Sequence, residues 1–349
     1  LKNNGGILPL KKDAKVLIVG EMAENPRYQG AGSSLINPLL LDCACSALKA
    51  QRIDFDYARG YSMDKKGKKY NNEYLEQAVK MARTAQPVVI FAGLTSEYET
   101  EGYDRKHIEM PESHNRLIEE ISRINKNTIV VLAGGAVMQM RWCDNVSAVL
   151  MSSLSGQAGG SAVIDVLYGD VNPSGRLAET YPFALDDVPC SKYFPGDIFT
   201  SEYRESIYVG YRYYSTVNKA VRFPFGYGLS YTKFEYSDVK LSADEIQDGD
   251  TVNVVFSIKN VGEFPGAETA QVYVTDIQST AFRPKKELKG FKKIFLEPGE
   301  EKSVEIKLDR DAFAFFNPVA NTWQVESGDF IVSVGASVED IKSEAVIRV

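Results

Sequence analysis

The sequence predicts a multidomain protein, an α/β domain on a parallel sheet followed by an all-β sandwich. Three observations carry this. Short, continuous apolar runs alternate with amphipathic stretches up to about residue 170. A Pro-, Gly- and Tyr-rich stretch then breaks the pattern. From about residue 233, apolar and polar residues alternate one by one in short runs separated by turns. The expected boundaries are 1–170 for the α/β domain, 171–232 for an extended connecting segment packed on both domains, and 233–349 for the sandwich.

The apolar runs of the first part are Lys15–Gly20, Pro87–Leu94, Thr128–Gly135 and Ala148–Ser153, with a weaker strand near Ile53–Ala58. They are rich in β-branched residues, and runs apolar at every position suit parallel strands buried on both faces. Helices are expected at about 39–50, 72–84, 111–125 and 158–168. Pro111 suits the first turn of the third, and Ala158, Ala162, Val163, Val166 and Leu167 share one face of the fourth. Strand–helix alternation places helices on both sides of the sheet. In the second part Thr251–Lys259, Ala270–Thr275, Ser303–Leu308, Phe330–Val334 and Ala345–Val349 read as strands, with a turn at Glu297-Pro-Gly-Glu300. This pattern points to an immunoglobulin-like or fibronectin-type sandwich.

Composition narrows the function. The 349 residues are 44% hydrophobic and 25% charged, with a formal net charge of -7. No long basic run is present, which argues against nucleic acid as a partner. Lys65, Lys66, Lys68 and Lys69 form one short basic cluster, read as a solvated loop rather than a polyanion contact. Four cysteines and two histidines show no zinc-type spacing, so no metal is expected. Cys43, Cys45, Cys143 and Cys190 read as reduced thiols and favour a reducing, cytoplasmic compartment. No run approaches the ~18 apolar residues of a membrane span, so no membrane partner is expected. The chain begins at Leu1. It therefore reads as part of a longer polypeptide, which leaves a removed signal and secretion open. A homo-oligomer is also left open.

The richest segment follows the third strand: Gly93-Leu-Thr-Ser-Glu-Tyr-Glu-Thr-Glu-Gly-Tyr-Asp-Arg105. Ligand sites in open α/β sheets form at the carboxyl ends of strands. Glu97, Glu99 and Glu101 sit two apart, and in an extended loop they point the same way. Close carboxylates raise one another's pKa, as a general acid requires; a solvated acidic loop is the competing reading. Asp104 and Arg105 read as a loop-fixing ion pair, and Tyr103 as a substrate contact. A second loop, Asn25-Pro-Arg-Tyr-Gln-Gly-Ala-Gly-Ser-Ser34, follows the first strand. It has neither the Walker nor the G-x-G-x-x-G spacing. Arg27, Tyr28, Gln29, Ser33 and Ser34 can instead hydrogen-bond and stack on a sugar, or form an ordinary βα loop.

Several segments, in order, resemble glycoside hydrolase family 3, a β-glucosidase-like family. Leu1–Lys11 resembles its L-K-N-x-x-x-I-L-P-L lead-in, and Tyr28–Ser34 its glycine-serine loop. Glu101-Gly-Tyr-Asp-Arg105 is similar to its acid/base motif. Gly169–Leu177 resembles its G-x-x-N-P-S-G-[KR]-L segment, and Phe223–Thr232 its F-P-F-G-Y-G-L-S-Y-T segment. Arg204–Tyr214 is close to another, with Ser206 in place of a glycine, and Arg283–Phe291 resembles a stretch of its fibronectin-like domain.

The resemblance implies an (α/β)6-type sandwich domain and a fibronectin type III-like domain, preceded in the whole enzyme by a catalytic barrel. It implies retaining exo-cleavage of terminal β-linked sugars, with β-glucosides or related oligosaccharides as substrates and no cofactor. Glu101 matches the acid/base position, and Glu97 and Glu99 become supporting residues. The family's aspartate nucleophile lies in the barrel, in an S-D-W-like motif that this chain lacks; Ser237-Asp238 stands at the start of the sandwich. The fragment alone is expected to be inactive. The alternative is a sugar-binding or scaffolding module without turnover.

Overall fold

The computed structural model describes residues 1–63, 72–102, 104–247 and 249–349. The basic cluster of Lys65, Lys66, Lys68 and Lys69 and the expected contact Tyr103 lie outside them. The chain divides into two compact units: Leu1–Val171 with Phe183–Leu185, and Asn172–Pro182 with Asp186–Val349.

The first unit is built on a six-stranded sheet. Its strands are β1 (Lys2–Asn3), β2 (Val16–Val19), β3 (Phe55–Ala58), β4 (Val88–Gly93), β5 (Thr128–Ala133) and β6 (Ala148–Met151), in the order β1-β6-β5-β4-β2-β3. β2 through β6 pair in parallel, as the apolar runs predict. Every residue of β2 and β4 is buried, because both faces of the sheet are covered. β1 is a two-residue antiparallel edge, too short to register in the sequence pattern.

Four helices belong to this unit: α1 (Ala44–Ala50), α2 (Asn72–Ala82), α3 (Glu112–Ile124) and α4 (Gly159–Leu167). The first starts later than expected. Cys43 caps it, exchanging hydrogen bonds with Ser46, and Leu39, Leu40 and Leu41 precede the cap in solvent. α1 packs closely on α4 because Gly160 has no side chain: a Cβ there would lie 2.5 Å from the Cys43 carbonyl carbon. Asn125 closes α3 by donating to the carbonyls of Ala82 and Ala85 at 2.8 and 2.7 Å.

The second unit holds a short helix α5 (Tyr211–Thr216) in the segment expected to be extended. The strands β7 (Phe234–Tyr236), β8 (Lys240–Leu241), β9 (Val252–Asn260), β10 (Gly266–Asp276), β11 (Glu287–Leu296) and β12 (Glu301–Leu308) follow. A turn of helix α6 (Arg310–Phe313), a hairpin β13 (Phe315–Asn317) and β14 (Thr322–Gln324), then β15 (Asp329–Gly335) and β16 (Ile341–Arg348), complete it. All strand pairs here are antiparallel. One sheet has the order β11-β10-β15-β16, the other β12-β9-β7 with β8 beside β9. Alternate residues of β9 point inward, placing Val252, Val254, Phe256 and Ile258 in the core beside Val272, Val274, Phe330 and Val332.

The segments around residues 172 and 226 lock onto this sandwich. Asn172 accepts from the Ser230 hydroxyl and the Tyr231 N–H at 2.9 and 2.8 Å. Arg176 pairs with the nearly buried Glu268 at 2.8 Å, and the Tyr236 hydroxyl donates to the same carboxylate. Gly226 has φ +80, and Gln271 donates to its carbonyl. These motifs therefore serve packing. Among the described residues no helix is long and apolar enough to cross a membrane, and no group of three or more His, Cys, Asp or Glu gathers as metal ligands.

Candidate active site

Parallel strands bring the loops after β2, β4 and β5 to one edge of the sheet. β4 ends at Gly93, with φ +151; a Cβ there would meet the Ala133 carbonyl oxygen at 1.9 Å. Only glycine lets the chain leave β4 so close to β5, and the acid loop starts from this point. Behind it His114, 1% exposed, sets Nδ1 3.0 Å from the Gly93 carbonyl oxygen and packs on Tyr61 with ring centroids 3.9 Å apart. Burial pushes the His114 pKa down to about 4. The Tyr61 hydroxyl donates to the Phe91 carbonyl at 2.7 Å, so both rings brace the end of β4.

The three glutamates do not cluster. Glu99 turns inward. One carboxylate oxygen accepts the Gly135 N–H at 3.1 Å and lies 3.6 Å from the Arg27 guanidinium, while Arg27 donates to the Glu99 carbonyl at 3.0 Å. Both side chains are largely buried, and burial lowers the Arg27 pKa against the opposing pull of Glu99. Glu97 lines a small separate cavity with Asp104, Arg105 and His107. Arg105 donates to the Val137 carbonyl at 2.8 Å, tying the acid loop to the loop after β5.

Glu101 is exposed. Its Oε2 accepts from the Ser33 N–H at 3.1 Å and from the Ser33 hydroxyl. These bonds hold its pKa below the ordinary glutamate value, the side-chain bond most and the backbone bond next. The expectation that neighbouring carboxylates raise this pKa is thus corrected: the loop is turned rather than extended, and Glu99 and Glu101 each meet their own donors. Gly32, at φ +80, makes room, since a Cβ there would lie 2.9 Å from Glu101 Oε2. Gly135 does the same for Glu99, with a gap of 2.7 Å.

The remaining expected contacts have mixed placements. Ser33 touches Glu101. Tyr28 and Gln29 fold the glycine-serine loop on itself: the Tyr28 hydroxyl donates to the Ile36 carbonyl at 2.8 Å, and Gln29 both donates to and accepts from Ile36. Ser34 donates to the Ala31 carbonyl at 3.4 Å. Arg27 supports Glu99. Gly32 lies in the glycine-serine loop that the sequence singles out, whereas Gly135 and His114 are not anticipated; Gly134-Gly135 directly after a strand is their one local signal.

Residues 1–231 match the glycosyl hydrolase family 3 C-terminal domain, and residues 268–338 the fibronectin type III-like domain. The chain belongs to glycoside hydrolase family 3. It is similar to thermostable beta-glucosidase B of Acetivibrio thermocellus, 46% identical across 100% of this chain and 46% of that protein. An exo-alpha-(1->6)-L-arabinopyranosidase of Bifidobacterium breve is 40% identical over 99% of this chain and 46% of its own length. The crystal structure of a family 3 beta-glucosidase from Bifidobacterium adolescentis superposes with a TM-score of 0.95 at 39% identity, covering all of this chain and 51% of that one. The chain spans about half the length of these relatives.

Proposed function

We propose that this chain is the C-terminal part of a retaining exo-β-glycosidase acting on β-glucosides or related oligosaccharides, with Glu101 as the general acid/base. The observation that carries this is the position of Glu101. It is exposed at the sheet's carboxyl edge, in a segment that resembles the family's acid/base motif, on a loop braced by the Arg27–Glu99–Gly135 contacts. Glu99 and Glu97 are less suited, the first being committed to Arg27 and Gly135.

In this reading the nucleophile is an aspartate of a barrel domain that precedes the chain. Attack at the anomeric carbon forms a glycosyl–enzyme ester while Glu101 protonates the departing oxygen. Water then attacks the ester, with Glu101 taking its proton. The Ser33 bonds favour the ionised form that the second step needs. Approach of a second carboxylate to about 5–5.5 Å raises the pKa for the first. The apolar run beside this site supports a covering partner: Leu35, Ile36, Leu39 and Leu40 are all exposed in this chain.

The test is a comparison of Glu97→Ala, Glu99→Ala and Glu101→Ala in the whole enzyme on cellobiose and on a dinitrophenyl glucoside. Glu101→Ala is expected to lose about 100-fold or more on cellobiose, whose leaving group needs the proton, and far less on the activated aryl glycoside. Equal losses on both substrates assign the proton transfer elsewhere.

A further inference from the structure

The second unit carries a large cavity that plays no part in the reaction above. It has a volume of ≈ 1040 Å³ and lies between the 204–212 segment, the 280–289 loop and the β13–β14 hairpin. That is the upper end of ordinary small-molecule sites.

Its walls carry two aromatic pairs. Tyr208 and Phe282 have ring centroids 4.9 Å apart, and Phe316 and Trp323 meet edge to face at 5.7 Å. Phe282 is 82% exposed and Trp323 58% exposed, so ring faces stand open to solvent. The floor is polar and fixed. Arg283, its side chain 6% exposed, bonds Asp276 and Glu287 at 3.1 Å each and donates to the Phe313 carbonyl. Lys289 pairs with Glu287 at 3.3 Å and donates to the Asp311 carbonyl, while Arg212 stands 4.0 Å from Glu287. Cations and carboxylates nearly cancel, which leaves no field for a phosphate or a polyanion. Two polar atoms of the wall, the Tyr208 hydroxyl and Glu205 Oε2, are buried with no hydrogen-bond partner among the described residues. Such atoms cost stability until a partner arrives.

We propose that this cavity binds a neutral oligosaccharide. A pyranose ring has an apolar C–H face that packs on an aromatic ring and a rim of hydroxyls that both donate and accept. That combination matches open aromatic faces over a fixed, charge-balanced floor. An apolar ligand would leave the polar floor unmet, and an anionic one would find no excess cation. The site is made wholly of second-unit residues, so it stands or falls independently of Glu101.

The experiment is titration of the 349-residue chain with cellohexaose, followed by calorimetry and tryptophan emission. The chain has two tryptophans, and Trp142 is fully buried in the first unit, so a change in emission on adding sugar reports Trp323. Binding is expected, weakened about 10-fold or more by Trp323→Ala. Tyr208→Phe should weaken binding while leaving the melting temperature unchanged or higher, because it removes an unpaired hydroxyl. Glu101→Ala should leave the affinity unchanged. The proposal is overturned by absence of binding at millimolar cellohexaose, by binding that Trp323→Ala and Tyr208→Phe both leave intact, or by a heparin oligosaccharide binding more tightly than cellohexaose.

Discussion

Ser33 is the residue that holds the Glu101 pKa down in this chain. Both of its donors reach the same carboxylate oxygen. Ser33→Ala removes the stronger contribution, so the Glu101 carboxyl resonance followed by NMR against pH should titrate higher than in the parent. His114 behaves in the opposite sense to a paired histidine. Burial lowers its folded pKa to about 4 from an ordinary value of 6.5. The unfolded chain therefore binds the proton first as pH falls. The stability held by neutral His114 is complete above pH 6.5 and is lost between there and pH 4, up to about 3 kcal/mol. Denaturant unfolding across that range should show the loss, and His114→Gln should flatten it. At this scale the sequence was legible only where chemistry is local. The acidic loop stands out by its place after a strand, and the resemblance to the family motif selects Glu101 from its three glutamates. The sequence marks the glycine-serine loop and Gly134-Gly135, but not that Gly32 and Ser33 meet Glu101 and Gly135 meets Glu99, because these contacts join loops far apart in the chain.

Among the elements, the buried parallel strands were the most legible, because double-sided burial leaves continuous apolar runs. The alternating strands β9, β12 and β15 were nearly as clear. β11 was not anticipated as a strand. It is the edge of its sheet and carries Lys289, Lys292 and Lys293, charges that protect an open edge and erase the alternation. The start of α1 was misplaced because Leu39–Leu41 look like a helix face, whereas the Cys43–Ser46 cap begins the helix later. Within the second unit, Glu287 joins Arg283, Lys289 and Arg212 at the foot of β11. Glu287→Ala leaves the largely buried Lys289 without its carboxylate and Arg283 with Asp276 alone, and should cost about 3 kcal/mol. The check is a drop in melting temperature, with kcat on an aryl glucoside little changed in the whole enzyme. A fall in kcat without a fall in melting temperature would give β11 a direct part in the reaction.

For the molecule as a whole, the chain supplies a braced loop carrying Glu101, the proposed acid/base, and an exposed apolar run at 39–41. Leu39 is 100% exposed and Leu40 78%. In the account proposed here a barrel domain covers this surface. Hydrogen exchange at residues 39–41 should then be fast in the 349-residue chain and markedly slower in the whole enzyme; equal rates would place the barrel elsewhere. The central claim concerns Glu101 and is tested most directly by azide. In the whole enzyme carrying Glu101→Ala, a dinitrophenyl glucoside still forms the glycosyl–enzyme ester, but water lacks its general base. Added azide should restore turnover, because an anion needs no base, and the product should be the β-glucosyl azide. No rescue, or rescue appearing with Glu99→Ala instead, would contradict the assignment.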